Sequence, residues 1–367
     1  MPARIAGSAV RTCLGDGPAT FAALLRGEDG VAPLRHQDHA AVGVTHGYEI
    51  NDDRPEAFHG SHWLTACLRD ALARSGVDPA RQRTVALIGT GLRELSAVED
   101  GSAFATERLH FAHAVRQAAP QTEAVHTLAG ACSAGGHALA LAQDLIELAE
   151  AEAVLVGGAD AMTVSMLAMI GRVADRPADR VRPFDAERRG VLLGDGAAAL
   201  VLVPDRGEGP GTARVLATGL SCDAAHPTAP DREGILRAMR QAFERAGRAP
   251  GEVDVVYAHG TGTALNDPVE AAALRELHGS PGPLVTAVKG AVGHTSGGSA
   301  LLSVAMAVHS MEMGLVPPVT GLRDPLPEAD GLRLVHGAPH AADVVTAQVD
   351  AFGFGGVNAV SLLERLA

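Results

Sequence analysis

The stretch Ala131-Cys132-Ser133-Ala134-Gly135-Gly136 decides the reading of this chain. An apolar-periodic run follows at once and predicts a helix over 133–150. The small residues allow a tight, strained turn and close approach of a ligand. A thiol at the start of such a helix feels the positive end of its dipole, which favours thiolate and is expected to lower the thiol pKa. The arrangement parallels a nucleophile elbow. The competing reading makes Cys132 one more small buried apolar residue. For a lone cysteine in an alanine-rich run that reading stands ahead, so the rest of the chain has to decide.

Outward from this turn, short apolar runs alternate with longer helical patterns. Strands are expected at 84–89, 153–157, 197–203, 253–258 and 282–287, and helices at 63–74, 232–246, 268–277 and 299–313. Alternation of this kind indicates an α/β fold with much parallel sheet. The strands are continuous apolar runs, as in sheets covered on both faces. The segment 203–212, rich in Pro, Gly and charge, reads as a seam between two halves, 1–205 and 206–367. Each half has a strand ending in a reactive-looking turn, Ala131 to Gly136 in the first half and Ala258-His259-Gly260-Thr261-Gly262-Thr263 in the second. The segment 34–60 has little periodicity and is expected to be a surface loop.

The 367 residues suffice for two halves sharing a core, and 47 % of them are hydrophobic. A net charge of -13 makes nucleic acid a poor partner. The cysteines, Cys13, Cys67, Cys132 and Cys222, are scattered, so neither a disulfide framework nor a metal site is expected, and a reducing cytoplasm fits. Neither an apolar leader after Met1 nor a membrane span is expected.

Three further clusters carry candidate chemistry. His259 follows an apolar strand in a Gly-rich turn, where open α/β sheets put their sites. Thr261 and Thr263 supply hydroxyls, and Asp267 and Glu270 follow; Asp267-Pro268 also suits a helix start on structural grounds alone. His294, in Lys289-Gly290-Ala291-Val292-Gly293-His294, again follows a strand, with Lys289 near enough to contact it or a carboxylate. Taken singly, Lys289 reads equally as a surface charge and His294 as a loop histidine. Phe352-Gly353-Phe354-Gly355-Gly356-Val357-Asn358 reads as a loop whose N–H groups approach a ligand and whose Phe354 guards a tunnel, or as a turn with two core Phe.

In this order the clusters resemble the β-ketoacyl synthases of fatty-acid and polyketide assembly, elongating type. The match extends through Arg182-Pro183-Phe184-Asp185 and Leu193-Gly194-Asp195-Gly196-Ala197-Ala198 and covers most of the chain from about Trp63 to Leu363. The resemblance implies a thiolase-like fold, with two similar α/β halves in a five-layer αβαβα arrangement. It implies that Cys132 carries an acyl group as a thioester, and that His259 and His294 hold the thioester oxygen of a malonyl donor while carbon dioxide leaves. It puts an oxyanion hole at the N–H groups of Cys132 and Phe354. Lys289 would set the electrostatics through Glu270, with Asp267 supporting. Thr261 and Thr263, with Phe352, Phe354 and Asn358, would bind substrate. No cofactor is implied beyond phosphopantetheine on an acyl carrier protein.

The expected partners are that acidic carrier, met by the arginines at 172, 176, 180, 182, 188 and 189 unless these form a salt-bridged loop, and a second ketosynthase-like chain, the same or different, paired through a strand of the first half. The sequence departs from the family in its short region before Cys132, in Ser303 where a glutamate facing the lysine is usual, and in Ser296-Gly297-Gly298-Ser299. These departures keep a second reading open: an acyltransferase on the same scaffold, passing its acyl group to a non-malonyl nucleophile. A third, a non-catalytic chain-length-factor-like subunit, is opposed by the presence of Cys132 with both histidines.

Overall fold

The computed structural model describes residues 2–35, 37–52, 57–101, 106–173 and 178–366. The strands that matter are β1 (Ala3–Thr12), β2 (Thr84–Thr90), β3 (Ala124–Ala129), β4 (Ala153–Asp160), β5 (Gly196–Pro204), β6 (Ala213–Cys222), β7 (Val255–Tyr257), β8 (Leu284–Thr286), β9 (Thr346–Gly353) and β10 (Val357–Arg365). With two short additions they form a 12-stranded sheet in the order β3-β2-β4-β5-β1-β6-β10-β9-β7-β8.

Read inward from either end, the order repeats. β3, β2 and β4 are parallel, then β5 and β1 follow antiparallel. From the other end β8, β7 and β9 are parallel, then β10 and β6 follow antiparallel. The two half-sheets join only where β1 meets β6, between Ala3↔Val215 and Ile5↔Ala213.

Helices fill three further layers. On the outer face of the first half-sheet, α1 (His59–Ser75) buries Trp63, Leu64 and Leu68 against Leu155 and Val201. On the outer face of the second half-sheet lie α3 (Arg232–Ala246) and α4 (Asn266–His278), where Ile235, Met239 and Phe243 recur at helical spacing against Val256 and Leu362. Asp231 starts α3 by accepting from Gly234 N–H at 2.7 Å, and Gly247 ends it at φ +63°. Between the half-sheets run α2 (Ala134–Glu147) and α5 (Ser299–Met313), sharing one core through Leu139, Ile146, Leu301 and Val304. α5 is apolar nearly all round, as a central helix must be. Each buried leucine there contributes roughly 1.5–3 kcal/mol relative to an exposed one. The result is the five-layer αβαβα, thiolase-like arrangement.

The expected helices at 232–246 and 299–313 have those bounds. The strand expected to lead into the Ala131 turn is β3, while four strands, β1, β6, β9 and β10, lay outside the sequence expectation. Segment 34–60 corrects that expectation in another way, because it is not simply a surface loop. Its Leu34, Val42, Val44 and Tyr48 are buried with Leu167 and Leu192. Among the described residues no helix is long and apolar enough to cross a membrane.

Candidate active site

The nucleophile turn follows β3. Residues Ala131–Ser133 make one 3-10 turn into α2, and Ala131 sits at φ +50°. A left-handed alanine costs about 1–2 kcal/mol, so the strain expected at a glycine falls on the residue just before the thiol. Asp160, at the end of β4, braces the surroundings. Its carboxylate accepts from Thr90 Oγ1 at 2.5 Å, Gly91 N–H at 2.9 Å, Leu92 N–H at 2.8 Å and Gly297 N–H at 2.7 Å. Sequence reasoning missed Asp160; the signal was a lone acid closing an apolar strand.

Cys132 keeps some solvent contact, yet protein surrounds its thiol. Burial pushes the thiol pKa up, while the Lys289 charge and the Phe354 N–H pull against that rise. The net shift is upward, which corrects the expected low pKa: desolvation outweighs the favourable local groups. All four cysteines are free.

His259 follows β7 and is buried, 3 % exposed; His294 follows the short helix Lys289–Val292 and is 6 % exposed. Their rings meet edge-on with centroids 5.5 Å apart, and Phe352 lies 5.5 Å from the His259 ring. The surface reading of Lys289 and His294 is thus excluded. Lys289 is buried and donates to the His259 carbonyl at 2.5 Å, with its Nζ 3.3 Å from His259 Nδ1. An ammonium facing Nδ1 makes that nitrogen the acceptor and leaves the proton on Nε2. His294 Nδ1 accepts from Ser296 N–H at 3.0 Å, so its proton is on Nε2 as well. That His294 Nε2 is buried without a protein partner, a free donor in the site. Burial first, then the Lys289 charge, holds both imidazoles well below their ordinary pKa, so both are neutral near pH 7.

The structure adds a direct route from Lys289 to the imidazole beside the charge coupling to Glu270 that the resemblance implied. Lys289 contacts His259 directly, whereas Glu270 accepts from His259 N–H at 2.6 Å, Gly260 N–H at 2.8 Å and Asn266 at 2.8 Å. Glu270 therefore fixes the backbone of the His259 turn and acts on Lys289 through charge alone. Asp267 does not cap its own helix. It folds back to accept from Phe184 N–H at 2.8 Å, Thr261 N–H at 3.1 Å and Gly262 N–H. The carboxyl groups acting on Lys289 come from Glu270, Asp267 and Asp350. Ser303 is buried within α5, which carries one acid, Glu312, near its far end.

The remaining candidates separate. Thr261 and Thr263 hydroxyls bond each other at 2.9 Å, and Thr263 also accepts from Asn266 N–H. Phe352 is buried at the end of β9, while Phe354 is 44 % exposed on the turn, with its backbone N–H toward Cys132. Asn358, expected to bind substrate, is buried. Its amide donates to Ser221 Oγ, Asp223 and Gly356 O, bracing the turn that carries Phe354. Tyr48 was also missed. It is fully buried, donates to Gly290 O at 3.1 Å and accepts from Val181 N–H at 3.0 Å, tying the short helix Lys289–Val292 to the segment before Arg182.

Among the arginines considered for docking, Arg180 pairs with Asp29, Arg182 with Asp179, and Arg188 holds Thr263 O, leaving Arg172 and Arg189 exposed. Arg176 lies outside the described residues. Among those described, no group of His, Cys, Asp and Glu is placed to hold a metal.

A thiol in a strained turn, two neutral imidazoles presenting Nε2–H donors and a buried ammonium form a centre for thioester chemistry. The model described as "Beta-ketoacyl synthase, N-terminal domain" matches residues 2–206, and that for the "C-terminal domain" matches 212–323. The chain belongs to the β-ketoacyl synthase family. Within that family, nodulation protein E of Rhizobium meliloti is 36% identical over 249 residues, 66% of this chain and 62% of that protein. The 3-oxoacyl-[acyl-carrier-protein] synthase 2 of Rhizobium meliloti (strain 1021) is 32% identical over 257 residues, 65% of this chain and 60% of that protein. The matches thus span about three-fifths of the length of these curated relatives. Among solved structures, the ishigamide ketosynthase/chain length factor superposes with a TM-score of 0.89 at 30% identity, covering 99% of this chain and 98% of that one.

Proposed function

We propose that this β-ketoacyl synthase family member joins a Cys132-bound acyl group to a malonyl-type thioester by decarboxylative condensation, both delivered on the phosphopantetheine of an acyl carrier protein. The observation that supports the reading is the free, buried Nε2–H of His294 beside His259, with the Lys289 that contacts His259 also acting by charge on Cys132.

In the first step the Cys132 sulfur attacks the incoming thioester. A new carbon–sulfur bond forms, the carrier's breaks, and the Cys132 proton leaves with the carrier thiolate. A protonated resting thiol suits this exchange, because it brings the proton the leaving group needs. In the second step the malonyl carbon–carboxylate bond breaks and carbon dioxide leaves. The electron pair delocalises onto the thioester oxygen, where the two Nε2–H groups stabilise the enolate. The enolate carbon then attacks the Cys132 thioester, whose oxygen takes negative charge against the N–H groups of Cys132 and Phe354. Collapse releases the 3-oxoacyl product, and the departing Cys132 thiolate takes one proton from solvent. Lys289 keeps His259 in the donating tautomer; Asp267, Glu270, Thr261 and Thr263 hold the turn against which the carrier arm lies.

Two chains would pair through the free edge of β3, the terminal strand of the sheet. The ketosynthase/chain length factor named above makes a different chain as plausible a partner as a second copy. The test loads the protein from an acyl carrier, adds malonyl carrier and follows mass and gas. Carbon dioxide with a 3-oxoacyl carrier is expected. Loading with neither would overturn condensation in favour of transfer to another nucleophile.

A further inference from the structure

The alternate residues Gln348, Asp350 and Phe352 of β9 face the outer helices, and a buried polar ladder runs along them. His278, the half-buried last residue of α4, has Nδ1 3.1 Å from Pro250 O and Nε2 3.1 Å from Gln348 Oε1. Gln348 Nε2 lies 2.8 Å from Asp350 Oδ1, and Asp350 Oδ2 is buried without a partner. With the amide in this orientation both ring nitrogens face oxygen acceptors, so His278 has to carry two protons. Turning the amide over changes nothing in shape, since its oxygen and nitrogen are alike in size. His278 Nε2 then accepts from the amide nitrogen, a neutral ring suffices, and the amide oxygen faces Asp350 Oδ1, which has to donate. The ladder therefore needs one proton, on His278 or on Asp350.

We infer that His278, Gln348 and Asp350 form a one-proton relay in which Asp350 is the neutral acid, Gln348 turns its amide oxygen toward it, and His278 is the neutral Nδ1–H tautomer. The unpartnered Oδ2 favours this state, because half of a buried carboxylate left bare costs more than the carbonyl oxygen of a neutral acid. The charged groups acting on Asp350 are Glu270 from α4 and Lys289 from beyond β8; those facing His278 are the neutral Pro250 carbonyl and Gln348. Burial raises Asp350 and lowers His278, both toward the same state.

The consequence deepens the proposed function and rests on it: with Asp350 neutral, the carboxyl charge opposing Lys289 is left to Glu270 and Asp267, so Asp350 is a positioning residue acting through Lys289 on His259. The relay itself is tested without substrate. In the full-length protein near neutral pH, nitrogen NMR of His278, assigned by its loss in His278→Gln, is expected to show a neutral ring protonated at Nδ1. Infrared difference spectra between the wild type and Asp350→Asn are expected to show a protonated-carboxyl band belonging to Asp350. A doubly protonated His278, or an ionised Asp350, overturns the relay while leaving the condensation reading intact. Should Asp350→Asn fail to fold, the wild-type histidine spectrum decides alone, because a singly protonated Nδ1–H ring is incompatible with an ionised Asp350 on this ladder.

Discussion

The same turn occurs twice in this molecule. Ala131–Ser133 leads into α2 and Ser296–Gly298 leads into α5, each a 3-10 turn opened by a non-glycine residue with left-handed φ, +50° at Ala131 and +48° at Ser296. The two turns sit at matching places in the two half-sheets and lie against each other, and a Cβ on Gly135, in the first turn of α2, would come within 2.7 Å of Gly297 O. After the strained residue the first turn places Cys132 and the second places Gly297. One turn works through a side chain, presenting the thiol. Its counterpart works through backbone N–H groups, Ser296 orienting His294 and Gly297 anchoring Asp160. A single strained device thus serves nucleophile and imidazole alike.

Removing the chemical difference gives the largest expected effect. Cys132→Ala is expected to abolish acyl loading, by about 10³-fold or more, read by intact mass. His294→Ala removes what the second turn orients and is expected to lower carbon dioxide release by about 10²-fold or more, the worth of an oxyanion donor. Gly297→Ala breaks the backbone role, because its Cβ would fall 2.4 Å from Thr90 Cα. A loss of about 3 kcal/mol in denaturant unfolding is expected.

A milder effect follows pH. Since both imidazoles titrate well below 6.5, decarboxylation is expected to stay level as pH falls through that value. On the alkaline side it is expected to decline as Lys289, held down to about 8 by burial, gives up the proton that locks the His259 tautomer. A pH–rate profile in which Lys289→Met keeps that alkaline limb would contradict the assignment. The smallest effect is the most discriminating. Ala131→Gly and Ser296→Gly each relieve a left-handed side chain while adding unfolded-state entropy, so each is expected to shift stability by less than about 1 kcal/mol. Only Ala131→Gly is expected to slow acyl loading.

The parts legible in the sequence were those whose burial is written in apolar residues: β2, β4 and β5, the helices, and the Gly-rich turns beside the reactive groups. β1, β6 and β10 stayed hidden because their polar residues are satisfied only across the sheet, as Arg4 is by Asp205, Arg214 by Glu364 and Thr218 by Ser361. Tyr48 and Asp160 escaped for a related reason. Each acts on segments distant in the chain, and local pattern carries no trace of those partners. For Cys132, the helix start was readable but the desolvation opposing it was not, since burial of a thiol depends on segments distant in the chain. Spacing alone could not tell whether Lys289 works through Glu270 or on His259 itself.

The division of labour between thiol and imidazoles is tested most directly by following two signals in the same samples of wild type, His259→Ala and His294→Ala: acyl loading of Cys132 by intact mass, and labelled carbon dioxide from malonyl carrier. The expected result is that both variants still load while gas release falls by about 10²-fold or more. Variants that fail to load yet release gas at the wild-type rate would contradict it.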